Sequence, residues 1–169
     1  NAIPAGIYEG ERLKWLWQNM ILFGSFYRPG ISTYVWNKLF KREVLLAPQS
    51  SVDSRISIGE DGAVTYPALL NCKRVVMTDN VAYHYRQRED SMLKQSASYS
   101  VEAQKLKYLY DYMMRWSQST APELDIASQV TDYILSIAIM RSGGRLPQDD
   151  FSTFDTAYYG KDVVIYSAG

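Results

Sequence analysis

Cysteine and histidine are almost missing from this chain. Its 169 residues hold one of each, Cys72 and His84. An internal disulfide is therefore excluded, and so is a zinc cluster built from these two residue types. A reducing, cytoplasmic setting is the simplest reading. An excess of charge is missing too. Lys plus Arg number 18 and Asp plus Glu number 18, which removes the electrostatic drive towards nucleic acid. No basic run of the kind that holds proteins on anionic membranes is present. Long apolar runs are also lacking: the stretch from Met20 to Phe23 falls far short of the ~20 residues that cross a bilayer as a helix.

What remains is the composition of a folded domain. Hydrophobic residues at 47% and charged residues at 21% suffice for a core, so intrinsic disorder is not expected. The 14 Tyr and 4 Trp suit wide amphipathic surfaces such as a sugar site or a partner interface. The chain opens on Asn1-Ala2 and stops at Gly169, directly after an apolar strand-like run. These ends are those expected of a piece cut from a longer protein.

Periodicity predicts mostly helices. Leu13, Leu16, Trp17, Met20, Ile21 and Gly24 share one helix face, with Glu9 and Glu11 in the first turn, where the macrodipole favours them. Pro29-Gly30 ends that segment. Ser32 or Thr33 can cap a second helix that turns Val35, Trp36, Leu39 and Phe40 inward, with Pro48 closing it and a polar loop from Gln49 to Ser57. A third helix is expected from Glu60-Asp61 to about Asn71, kinked or broken at Pro67. Arg74 to Thr78 and Val81 to Arg88 read as two strands paired through the Asp79-Asn80 turn. Val101, Tyr108, Leu109, Tyr112, Met113 and Trp116 mark a fourth helix. Pro122 can open a fifth, and Gly143-Gly144 can stop it. Val163 to Tyr166 reads as a buried strand. The expected fold class is α+β, a mostly helical fragment with one short antiparallel strand pair.

Three stretches can carry chemistry. In Gly59-Glu60-Asp61-Gly62 two carboxylates follow a glycine at a helix start. They can simply compensate the helix dipole, or one can serve as a general base towards a hydroxyl. Successive helix positions point about 100 degrees apart, so at most one of the two faces a site. In Tyr83-His84-Tyr85-Arg86-Gln87-Arg88 strand alternation gathers His84, Arg86 and Arg88 on one side. That side can be a solvated face, or it can hold a diphosphate, with Ser91 donating a further hydrogen bond. His84 is the one candidate metal ligand. In Tyr34-Val35-Trp36-Asn37-Lys38-Leu39-Phe40, Asn37 and Lys38 can reach a polar ligand, while Trp36 and Phe40 are expected in the core.

Taken in order, Val35-Trp36-Asn37-Lys38-Leu39-Phe40, then Gly59-Glu60-Asp61, then Tyr83-His84-Tyr85-Arg86 ending at Ser91, the chain resembles the second half of family-2-type bacterial glycosyltransferases over about Gly6 to Lys94. The resemblance implies residues 1–95 as the acceptor-side, C-terminal half of a GT-A-like domain. A helical extension (96–146) would follow, then a linker and the first strand of a truncated further module (147–169). It implies inverting transfer of a sugar from a nucleotide-diphosphate donor to a hydroxyl of a cell-surface polysaccharide or similar polymer. Asp61 would be the catalytic base, braced by Glu60. His84, Arg86 and Ser91 would sit at the donor diphosphate, and Trp36, Asn37 and Lys38 on the acceptor side. Mg or Mn is expected in the complete enzyme and no cofactor in this piece, because the Asp-x-Asp metal motif of the family's first half does not occur here. The isolated chain is expected to be inactive. The partners implied are a nucleotide-sugar and a glycan or polyol, with no nucleic acid, and the location is cytoplasmic or peripheral at the inner membrane face. The competing expectation is a non-catalytic helical interaction module, with self-association through exposed apolar surface.

Overall fold

The computed structural model describes residues 2–26, 28–79 and 99–142. The chain divides into two compact units, Asn1–Ala138 and Ile139–Gly169. Of the second unit only residues 139–142 are described. The helices expected as an extension thus fall, through Ala138, in the same unit as the first 79 residues.

The elements in order are β1 (Gly6–Tyr8), α1 (Glu11–Asn19), α2 (Arg42–Ser51), α3 (Glu60–Leu70), β2 (Val75–Met77), α4 (Tyr99–Thr120) and α5 (Ile126–Ser142). The described residues are mostly helical, with one short antiparallel sheet. A pairing appears that the sequence does not announce. β2 pairs with β1, in the register Gly6↔Met77, Ile7↔Val76 and Tyr8↔Val75. The segment Val81 to Arg88 lies outside the described residues. Alternation along this ribbon buries Tyr8 and Val75 and leaves Ile7 51% and Val76 57% exposed.

α3 is the centre of the fold, packed against both α2 and α4. Ala63, Thr65, Tyr66, Pro67, Ala68 and Leu69 are all buried. The helix runs through Pro67 without the expected break. Proline forfeits one backbone hydrogen bond at that point, and close burial of the whole turn offsets the loss. Pro48 likewise lies inside α2, where a helix end was expected, and α2 continues to Ser51. There the Ser51 hydroxyl donates to the Pro48 carbonyl and shares a hydrogen bond with Tyr112 of α4.

α1 buries Leu13 and Leu16, and Met20 and Ile21 are buried just beyond its end. The chain then doubles back, with Ile31 N–H donating to the Met20 carbonyl at 2.7 Å and Phe23 N–H to the Arg28 carbonyl. α4 buries Leu106, Leu109, Tyr112 and Met113, and α5 buries Ile126, Val130 and Ile137. α5 begins four residues after Pro122, which lies in the connecting turn. Residues 143–169, including the Gly143-Gly144 stop and the Val163 to Tyr166 strand, lie outside the described residues. Among the described residues no helix is long and apolar enough to cross a membrane.

Candidate functional site

The segment Ile31 to Phe40 is not the helix that its apolar spacing suggests. Trp36 stands 36% exposed and Leu39 is fully exposed, so this side is not a core face. The backbone bonding gives the reason. Four successive carbonyls accept from side chains instead of from helical N–H groups. The Tyr66 hydroxyl donates to Ile31 O at 3.1 Å. Lys38 Nζ donates to Ser32 O at 2.6 Å and to Tyr34 O at 2.7 Å. The Thr65 hydroxyl donates to Thr33 O at 2.7 Å. Side chains that satisfy the backbone locally compete with helix formation, and here they win.

Asp61 completes the attachment by accepting a hydrogen bond from the Val35 backbone N–H. One helix therefore holds the loop with three side chains: Asp61 and Thr65, four positions apart and so neighbours on its surface, and Tyr66, about 100 degrees further round. Lys38 holds it from within, also touching Ser32 Oγ and Asn37 Oδ1, while Asn37 Nδ2 donates to Ser32 Oγ. Tyr34 and Trp36 stack with ring centroids 5.1 Å apart and planes 22° from parallel. Both present surface to solvent.

The electrostatics centre on Asp61. Burial raises its carboxyl above the ordinary aspartate range, and the neighbouring Glu60 charge raises it further. The Val35 hydrogen bond and the Lys38 charge act the other way without cancelling the rise. Burial pulls the Lys38 ammonium down to about 8, against the opposing pull of Asp61. Burial thus draws both members of the pair towards their neutral forms, and a carboxylate raised in this way is a stronger base than an ordinary aspartate.

The head of α3 has a second unusual property. Gly59, the residue before the helix, has φ +70° and no side-chain cap serves this end. A Cβ on Gly59 would lie 2.6 Å from Leu109 Cδ2, and one on Gly62 would lie 2.7 Å from Tyr133 Oη and 3.3 Å from Thr33 Cγ2. The two glycines let α4 and α5 approach the turn that bears the carboxylates.

The structure therefore brings Asp61, Glu60 and Lys38 together, with Asn37 and Trp36 on the same loop. His84, Arg86 and Ser91 lie outside the described residues. Among the described residues no group of three His, Cys, Asp or Glu side chains is placed to hold a metal ion. Sequence reasoning missed Ser32, Thr33, Thr65, Tyr66 and Tyr133. The first four act through backbone carbonyls or hydroxyls that no residue pattern announces. Tyr133 lies over 70 residues away in sequence, as the one tyrosine of α5. Comparison with known protein families, with curated proteins and with solved structures finds no match.

Proposed function

We propose that this chain is the acceptor-side half of an inverting family-2-type glycosyltransferase domain of GT-A-like fold. Asp61 takes the proton of an acceptor hydroxyl as its oxygen bonds to the anomeric carbon of a nucleotide-diphosphate sugar. The bond from that carbon to the diphosphate breaks, and its electron pair leaves with the diphosphate. The observation that carries the reading is the placement of Asp61. It lies at the head of a helix whose other side chains anchor the loop bearing Lys38 and the stacked Tyr34–Trp36 pair. A partly dehydrated carboxylate is a stronger base than one in water. An exposed aromatic pair offers a flat apolar surface that suits the C–H face of a sugar ring. On this reading the complete enzyme, with Mg or Mn, works in the cytoplasm or at the inner membrane face on a polymer precursor.

The test is Asp61→Asn in the full-length protein. Turnover should fall by about 10²–10⁴-fold, the usual range for a general base, with donor affinity retained. A wild-type rate would remove Asp61 from the role.

A second reading has its own observation. Leu135, Ile139 and Met140 are exposed along α5, as the helical interaction module would require. Light scattering that shows a monomer at high concentration would set self-association aside.

A further inference from the structure

We infer that Tyr133 is a positioning residue for Asp61: α5 lays its hydroxyl end across the bare Cα faces of Gly59 and Gly62 and so holds water off the turn that carries the carboxylate. In its consequence for turnover this rests on the reading of Asp61 as the base. The geometry itself does not. Gly59 and Gly62 are three positions apart and therefore neighbours on the helix surface. A Cβ at either position would lie within 3.3 Å of Tyr133 Oη, so the aromatic tip is seated where only glycine leaves room.

The ring is fixed from several directions. Its edge meets Tyr66 with centroids 5.8 Å apart and planes at 88°. Buried Val130 and Ile137 flank Tyr133 along α5, and the Ser136 hydroxyl donates to the Tyr133 carbonyl at 2.7 Å. One turn earlier Gln129 ties α5 to the end of α1, donating to Gln18 O at 2.8 Å and accepting from Leu22 N–H at 3.3 Å. Tyr133 keeps some residue surface, while its hydroxyl end lies against Gly59 and Gly62. Burial pushes its phenol up, and the charges of Asp61 and Glu60 push it further. The groups whose charge acts on Asp61 are Glu60 from its own helix and Lys38 from the loop. At this turn α4 contributes the apolar Leu109 and α5 contributes Tyr133.

The experiment follows the Asp61 carboxyl carbon by ¹³C NMR against pH in the full chain, with Asp61→Asn giving the assignment. Tyr133→Leu keeps apolar bulk on α5 but ends short of the glycines. It should let water in and lower the Asp61 midpoint towards the ordinary aspartate range. Tyr133→Phe, which keeps the ring, should lower it clearly less. An Asp61 midpoint unmoved by Tyr133→Leu would overturn the inference. A second measurement needs no change at Tyr133. In the wild-type chain the Tyr133 ring-Cζ signal should shift through the pH range in which Asp61 ionises, and that step should vanish in Asp61→Asn. A Tyr133 signal blind to Asp61 would equally overturn it. Turnover of the full-length protein separates this inference from the functional one. If Tyr133→Leu moves the carboxyl while the acidic limb of kcat stays in place, the base assignment fails and the positioning stands. If Asp61→Asn abolishes turnover while Tyr133→Leu moves neither carboxyl nor limb, the positioning fails and the base stands.

Discussion

The head of α3, Glu60 and Asp61, and the tail that follows it from Thr65 make different use of the same loop. Towards the tail, Thr65 and Tyr66 are completely buried and give their hydroxyl protons to Thr33 and Ile31 carbonyls. These are neutral, satisfied bonds whose contribution is to hold. At the head, Asp61 takes the Val35 N–H with a group that burial disfavours in its charged form. There the helix lacks a side-chain cap and starts from a left-handed glycine. One helix thus divides its labour: the tail fixes the loop, and the head tolerates an awkward carboxylate because the tail has already fixed it. A helix built for stability alone would carry a capping Ser or Asp at its start instead of Gly59.

The sharpest way to break this contrast is to fill the head. Gly59→Ala would put a methyl group in a left-handed backbone position, which costs about 1–2 kcal/mol. The methyl would also collide with Leu109 Cδ2, and overpacking of this kind costs about 1–3 kcal/mol more. A loss of roughly 2–5 kcal/mol is expected in urea unfolding. A change near zero would mean that the close approach of α4 is not needed at this turn. The next effect belongs to the tail. Thr65→Val keeps the side-chain shape and removes the hydroxyl that holds Thr33 O, leaving a partly buried carbonyl short of a donor. About 1–2 kcal/mol should be lost. Amide exchange should quicken across Ile31 to Phe40 while α4 stays protected. Equal loss of protection in both would show that the loop has no separate anchor.

Much of α3 was legible in the sequence. Glu60-Asp61 at a helix start, and the apolar residues that follow, placed it from Glu60 to about Asn71 against an observed Glu60–Leu70. Helical spacing also picked out Leu109, Tyr112 and Met113 as an inward face. The segment 31–40 was misread because its apolar spacing is helical while its polar bonds are not. Lys38 reaching two carbonyls and Thr65 reaching a third are contacts across space, and periodicity carries no trace of them. The same holds for β1. Gly6-Ile7-Tyr8 becomes a strand only because Val75-Val76-Met77 lies alongside it, with Ile7 and its partner Val76 69 residues apart in the chain. Proline misled in the opposite direction: at Pro48 and Pro67 the local rule predicts a stop, and tertiary burial overrides it.

The smallest expected effect sharpens the contrast most, because it tests the head without disturbing the tail. Asp61 has a folded-state carboxyl raised from 3.8. A group raised in the folded state contributes fully below its unfolded value, and that contribution is lost as pH rises through the folded midpoint. Ionised Asp61 therefore weighs against the fold at neutral pH. Asn at this position keeps an acceptor for the Val35 N–H and never ionises. Asp61→Asn should match the wild type in pH dependence below about 3.8 and gain on it as pH rises through the raised midpoint. Above that midpoint the gain should level off, at under about 1 kcal/mol because the site is partly solvated and screened. Chemical unfolding across that range measures the difference. Were Asp61→Asn instead less stable at neutral pH, the carboxylate would be a net support of the loop, in the same service as Thr65 and Tyr66. The head of α3 would then be one more anchor, and the case for a poised base would lose its physical footing.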